Sequence, residues 1–298
     1  MSTKHPVVVI TGSSGAGTTT VKKALLSIFL RQKIDPVVIE GDSFHHYDRE
    51  AMKTKMEQAT RAGENFSHFG PGANDLEGLA ELFKNYGETG GGQKRFYLHT
   101  DEEAMDHNQR LGLNLGAGKF TPWEEIDAGT DLMFYEGLHG LVKTDSVDLT
   151  QHVDLKVGVV PVVNLEWIQK IHRDNADRGY SEEVIVDNIL RRMPDYVKYI
   201  TPQFSETDIN FQRVATVDTS NPFIARDIPT LDESFVVIRF RNPDIRQTDF
   251  TNLLSMIDRS FMSRRNTIVV PGGKMGMAME IIFTPIIRDL MAGRGKPK

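Results

Sequence analysis

Apolar positions along this chain fall into short β-branched or aromatic runs, separated by longer stretches in which apolar residues return every three or four positions. The short runs predict strands at Val7 to Thr11, Val37 to Glu40, Arg95 to His99, Leu132 to Tyr135, Leu155 to Val160, Phe235 to Phe240 and Ile268 to Val270. The longer stretches predict helices over 18–32, 48–62, 74–86, 164–175, 182–199 and 276–291. Strands alternating with helices imply an α/β fold with a mostly parallel sheet. Gly90, Gly91 and Gly92, and the stretch from Gly112 to Gly118, read as exposed turns flanking an insertion rather than as a domain boundary. With 298 residues and no internal repeat or low-complexity linker, the expectation is a single domain over 1–298.

Charge and composition narrow the classes. A net charge of −6 argues against a nucleic-acid partner and leaves anionic small molecules open. No run of eighteen apolar residues is present, and "MSTKHPVVVI" shows no charged-then-apolar leader, so the expected setting is cytoplasmic, with no membrane association. The absence of cysteine excludes disulfides, thiolate metal sites and any thiol redox switch within the chain.

The first strand runs into "TGSSGAGTTT", residues 11–20. Strand, glycine loop, helix is the order of a phosphate-binding loop, and Gly12 and Gly17 bracket four residues. The glycines let backbone N–H groups converge on phosphate oxygens, and the helix N-terminus adds its partial positive charge. Gly12, Ser13, Ser14, Gly15, Ala16, Gly17, Thr18, Thr19 and Thr20 therefore form the candidate ATP cradle, with Thr19 placed to reach Mg²⁺. Such loops usually carry lysine where this chain has Thr18. A plain Gly/Ser-rich turn is the alternative reading.

The second predicted strand leads into "EGDSFHHYDREAMK". Carboxyl ends of strands face the ligand crevice in open α/β sheets, so Asp42 is a candidate base for a hydroxyl nucleophile, or else a cap of the following helix. His45, Arg49 and Lys53 recur every four residues and form one cationic stripe if the segment is helical, either a solvated face or a grip on an anionic acceptor. "DLMFYEGLHG" ends a buried strand in Glu136, where a carboxylate can organise Mg²⁺ or simply end a strand. In "VVNLEWIQKIHRDNADRGY", Asn164 can cap a helix on which Lys170 and Asp174 lie four apart, with Arg173 beside them and Arg178 just past its end. Cations from this segment, Lys170 first, can supply the charge the glycine loop lacks and close over a nucleotide, although a surface ion pair would explain the same spacing.

The ordered blocks "GSSGAGTTT", "EGDSFHHYDR", "FYEGLHG", "VPVVNLEWIQKIHRD", "RGY", "PQFSETDINFQRV" and "VDTSNPF" together resemble the bacterial type of phosphoribulokinase, from about residue 5 to 290. The resemblance implies the nucleotide-kinase branch of P-loop α/β folds, a mixed, mostly parallel sheet flanked by helices, with insertions. It implies transfer of phosphate from ATP to D-ribulose 5-phosphate, giving ADP and the ribulose 1,5-bisphosphate of the Calvin cycle and carbon dioxide fixation. On the matching positions, Asp42 looks like the base for the C1 hydroxyl, and Glu136 and Asp174 like the acidic Mg·ATP residues. Lys170 matches a catalytic lysine; His45, Arg49, Arg173 and Arg178 match sugar-phosphate or phosphoryl-transfer residues, and His99 a substrate-side histidine. The family also has Thr at the Thr18 position.

Other readings are a uridine- or pantothenate-kinase-type enzyme, which keeps the glycine loop, Asp42 and Glu136 but needs no cationic stripe, and a non-catalytic nucleotide-sensing module, which has no use for a base at Asp42. The resemblance further implies a homo-oligomer responsive to NADH and AMP. Arg239 and Arg241 alternate onto one strand face, and Arg31, Arg239 and Arg264 are the candidate effector contacts, with edge or subunit-contact arginines as the alternative.

Overall fold

Val7, Val8, Val9 and Ile10 expose no surface, and they alternate between two apolar cores, Val8 and Ile10 toward one and Val7 and Val9 toward the other. A strand covered on both faces reads as a continuous apolar run for this reason. The computed structural model describes residues 4–13, 16–127, 129–178, 181–243 and 248–294, without the side chains of Asp177 and Arg178. Its strands are β1 (Val7–Thr11), β2 (Pro36–Glu40), β3 (Gln93–Lys94), β4 (Glu124–Glu125), β5 (Leu132–Gly137), β6 (Leu155–Val159), β7 (Ile209–Ala215), β8 (Ser234–Phe240), β9 (Phe261–Arg264) and β10 (Thr267–Pro271). Its α-helices are α1 (Thr18–Gln32), α2 (Arg49–Ala62), α3 (Leu76–Thr89), α4 (Asp101–Leu111), α5 (Val163–Arg178), α6 (Glu182–Asp195), α7 (Phe250–Met256) and α8 (Met275–Ala292).

Eight strands form one mixed sheet in the order β2-β5-β1-β6-β7-β8-β10-β9. The first five run parallel, and the last three are joined by antiparallel pairings. Helices α1, α7 and α8 cover one face, while α3 and the segment 141–153 cover the other behind β1, β2 and β5. Register brings the strand ends together: Glu136 of β5 lies opposite both Glu40 of β2 and Ile10 of β1, and Thr11 lies opposite Gly137 and Gly158. At that end Gly41 and Gly137 nearly touch, since a Cβ added to either would come within 3.0 Å of the other's Cα and of the Tyr135 hydroxyl. Among the described residues no helix is long and apolar enough to cross a membrane.

Several sequence expectations are corrected. Residues Arg95 to His99 are not a strand; Tyr97 alone makes an isolated bridge, to Phe120, inside an insertion closed by the short β3–β4 pairing. Residues 118–121 lie alongside and exchange three backbone hydrogen bonds with Phe96 and Leu98, but the pairing stops at that one bridge instead of extending into a ladder. His45 does not share a helix with Arg49 and Lys53, because Asp48 accepts a hydrogen bond from Ala51 N and starts α2 at Arg49. The stripe is therefore two helical residues and one histidine on extended backbone. Asn164 lies inside α5, which already begins at Val163, and Arg178 is the last residue of that helix rather than one beyond it. The predicted helix over 182–199 is α6 followed by a π-helical turn, Tyr196–Ile200. Strands β3, β4, β7 and β9 and helices α4 and α7 were not anticipated.

Candidate active site

The glycine loop leaves β1 and enters α1 as its sequence demands. Gly17, the N-cap, adopts the left-handed conformation (φ 96°) that favours glycine, and Ala16 N donates to Ser13 O at 3.0 Å. Ser14 and Gly15 lie outside the described residues. Thr18 is buried and hydrogen-bonds the Glu136 carboxylate, whereas Thr19 and Thr20 are exposed on the first turn of the helix. Burial pushes the Glu136 carboxyl above its ordinary value, against the pull of Thr18 and Lys22. Lys22 was not anticipated: one turn after Thr18, its Nζ is 2.5 Å from Glu40 Oε1 and 3.9 Å from Glu136 Oε2.

On the neighbouring strand end, Asp42 sits in a short 3₁₀ turn, Gly41–Phe44, after β2. It caps no α-helix, because Asp48 holds that position for α2. Its carboxylate, 38% exposed, faces His45 Nε2 through Oδ1 and His99 Nε2 through Oδ2, both at 3.6 Å. Burial works to raise the Asp42 pKa, but His45, His99, His68 and His139 together outweigh it and hold the carboxyl below its ordinary value. Burial lowers the pKa of His45, of His68 and of His139, the last to about 4. His45 rests on the ring of His68, with centroids 4.5 Å apart. Arg49 donates through Nη2 to His99 O at 2.8 Å and also hydrogen-bonds Tyr97, while Lys53 lies exposed one turn along α2.

Helix α5 supplies the third wall. Glu166, Lys170 and Asp174, spaced four apart, are all buried. Lys170 Nζ donates to Asp174 Oδ2 at 2.5 Å, and Arg173 donates to Asp174 Oδ1 from Nε (3.1 Å) and Nη2 (2.9 Å). Burial, reinforced by Arg192, lowers the Lys170 pKa to about 8 although Asp174 pulls upward. The Arg178 side chain lies outside the described residues. Glu166 accepts hydrogen bonds from Ser13 of the glycine loop and from Tyr196 OH, the latter at 3.1 Å. Sequence spacing gave no sign of Glu166, since its partners lie 153 and 30 positions away.

Among the described residues no three His, Cys, Asp or Glu side chains converge as a metal cage. Mg²⁺ at kinase sites takes one or two carboxylates plus phosphate and water, and the half-buried Glu136 and the buried Asp174 are carboxylates that fit that role. The ensemble is a phosphate cradle with a nearby carboxylate on one strand end, an aspartate flanked by histidines on the next but one, and a helix bearing a lysine and an arginine. Such an arrangement can deprotonate a hydroxyl, neutralise a transferring phosphoryl group and hold an anionic acceptor.

The candidate effector arginines are divided. Arg239 and Arg264 line one cavity of about 490 Å³ on the sheet face opposite α8, together with Gln212 and Thr267. Arg241 lies just past β8 and donates to Glu206. Arg31 pairs with Glu280 of α8, on the other side of the sheet.

Comparison with known proteins fits this geometry. The model of the "Phosphoribulokinase / Uridine kinase family" matches residues 7–220. The chain is 59% identical over 295 residues to the chromosomal phosphoribulokinase of Cupriavidus necator, covering 99% of this chain and 98% of that one. It is 54% identical over 294 residues to a probable phosphoribulokinase of Escherichia coli, covering 99% of each. The solved phosphoribulokinase of Rhodobacter spheroides superposes with a TM-score of 0.87 at 52% identity, over 98% of this chain and 99% of that one.

Proposed function

Because the chain belongs to the phosphoribulokinase / uridine kinase family, we propose that it is the ATP-dependent kinase that phosphorylates the C1 hydroxyl of D-ribulose 5-phosphate, releasing ADP and ribulose 1,5-bisphosphate. One kinase domain over 1–298 carries the reaction. The observation that carries the reading is Asp42, held between His45 and His99 at the end of β2, next but one in the sheet to the strand that carries the phosphate loop. Asp42 takes the C1 hydroxyl proton as the oxygen attacks the γ-phosphorus of ATP; the bond from that phosphorus to the bridging oxygen breaks, and ADP leaves. His45, Arg49, Lys53, His99, Arg173 and Arg178 hold the sugar phosphate.

Backbone N–H groups from Gly12 to Thr20 cradle the ATP phosphates. Lys170 and Arg173 on α5 neutralise charge on the transferring group, work that a lysine at Thr18 would otherwise do. Thr19, Glu136 and Asp174 are the residues that would hold Mg²⁺. An ion held by them would supply positive charge to offset that of the ATP phosphates.

For control, NADH and AMP are the proposed effectors, and Arg239 and Arg264 the phosphate contacts, supported by their shared cavity. Arg31, engaged on the opposite face, joins them only where a second copy of the chain meets that cavity, which suits a homo-oligomer. The protein acts in the cytoplasm without nucleic-acid or membrane partners.

The test is ADP release with ribulose 5-phosphate, uridine and pantothenate offered in parallel. Turnover of ribulose 5-phosphate far above the other two is expected, and equal or faster turnover of uridine would overturn the assignment.

A further inference from the structure

The turn that presents Asp42 and His45 has an unusual support. The last carbonyls of this short turn, those of Ser43, Phe44 and His45, are satisfied from outside it, as at the end of any short helical turn. The Asp42 carbonyl closes the turn by accepting from His45 N at 3.2 Å, and the Phe44 carbonyl accepts from Asp75 N at 2.8 Å. The carbonyls of Ser43 and His45 both go to a single side chain. Arg95 donates from Nε to Ser43 O at 2.7 Å and from Nη2 to His45 O at 2.8 Å.

That guanidinium is itself fixed. Its Cζ lies 3.9 Å from the centre of the Phe120 ring and 4.6 Å from that of Trp123, and Trp123 also packs edge-on against Phe44 of the turn. Two aromatic contacts and two carbonyls define its position and orientation. Arg95, Phe120 and Trp123 all belong to the insertion between α3 and β5, far in sequence from the turn they hold.

We propose that Arg95 is a positioning residue for phosphoryl transfer, which clamps the turn carrying Asp42 and His45 through its carbonyls and thereby sets the aim of the base at the acceptor hydroxyl. The inference rests on the reading of Asp42 as base. Lysine cannot replace it, because an ammonium group lacks the planar fork that reaches two carbonyls while lying on an aromatic face. Displacement of a catalytic group by about 1 Å costs on the order of 100-fold in rate, so a clamp of this kind acts on turnover without touching substrate.

The test compares wild type with Arg95→Lys, Asp42→Asn and the double variant, measuring kcat, KM for ribulose 5-phosphate and KM for ATP. Arg95→Lys is expected to lower kcat by about 10-fold or more and raise KM for the sugar phosphate, while KM for ATP stays within about twofold. In the Asp42→Asn background the same change is expected to cost less than about twofold in kcat, because its effect runs through Asp42. Equal damage to both KM values, full additivity in the double variant, or wild-type kinetics in Arg95→Lys would each overturn the proposal.

Trp123→Leu removes one face of the stack but leaves both carbonyl bonds, so it is expected to show a weaker form of the same acceptor-side defect. This variant decides the matter if Arg95→Lys does not fold. A readout free of turnover is the NMR titration of the His45 imidazole, whose midpoint is expected to move by about half a pH unit or more in Arg95→Lys as its distance to Asp42 changes. An unchanged midpoint refutes the clamp. Failure of the wild type to phosphorylate ribulose 5-phosphate would instead overturn the functional assignment, and the titration would still judge Arg95.

Discussion

Replacing Asp42 with Asn preserves the shape of the side chain and removes its charge, so it separates a base from a structural carboxylate. Loss of a positioned general base costs on the order of 10²- to 10⁴-fold in turnover. At 1.36 kcal/mol per decade this is roughly 3–5 kcal/mol of barrier. The cost to folding is much smaller. The Asp42 side chain is 38% exposed, its contacts with His45 and His99 are 3.6 Å ion-pair distances, and it caps no α-helix. Partly exposed pairs of this sort contribute up to about 1 kcal/mol, a shift of a few degrees at most in Tm for a chain of this size. Asp48→Ala is the reverse case, with a loss of about 0.5–2 kcal/mol from the missing cap on α2 and no selective loss of turnover. The assay couples ADP release to a spectrophotometric readout at saturating ATP, with calorimetric ATP binding and thermal melts on the same preparations. The folded-state pKa of Asp42 lies below its ordinary value, so the carboxylate is ionised at every pH above about 5, and no acid limb between pH 5 and 7 belongs to it. A kcat loss under about tenfold, or a loss matched by a collapse in Tm, would refute the assignment of Asp42 as base.

Lys170 carries its proton below its folded-state pKa of about 8 and loses it above, so kcat/KM for ATP is expected to fall through about pH 8; Lys170→Arg should move that limb upward, and Lys170→Met should remove about 10²-fold of kcat at all pH values. Arg49→Ala is expected to raise KM for ribulose 5-phosphate by about 10-fold or more with KM for ATP within about twofold, and an ATP-selective defect would move Arg49 to the nucleotide side. With no cysteine in the chain, rates after incubation with oxidised and reduced dithiothreitol are expected to coincide, and a reversible difference would refute redox indifference.

Local signals carried the nucleotide half of the molecule. The Val7–Ile10 run, the bracketing glycines and the helix after them form a continuous stretch, and the structure reproduces it from β1 into α1. The four-residue spacing of Lys170 and Asp174 likewise became a contact, because both lie on one helix. Spacing failed where a cap intervened: Asp48 starts α2 after His45, so a period of four across that boundary meant nothing. Strand β7 was invisible because Asn210 and Gln212, which line the cavity on the face opposite α8, alternate with its two buried apolar residues, and Arg213 ends the apolar side of the pattern. The segment Arg95 to His99 misled in the other direction, as its aromatic residues pack within the insertion rather than in a ladder. Arg95, Glu166 and Lys22 act across the fold, on partners 50, 153 and 18 positions away, and no local pattern encodes such meetings.

The order of strands also fixes a timetable for biosynthesis. β1 precedes the other described strands in the sequence, yet both of its neighbours, β5 and β6, lie more than 100 residues further on, and β2 pairs only with β5 among the described residues. Roughly 120 residues must follow β1 before its first partner exists. At about 5–20 residues per second, the wholly apolar stretch Val7–Ile10 waits roughly 6–24 s as an unpaired edge on the nascent chain. During that interval a segment that ends with no exposed surface shows its apolar side chains and its unpaired backbone N–H and C=O groups to water, which makes it an aggregation hazard until β5 and β6 arrive.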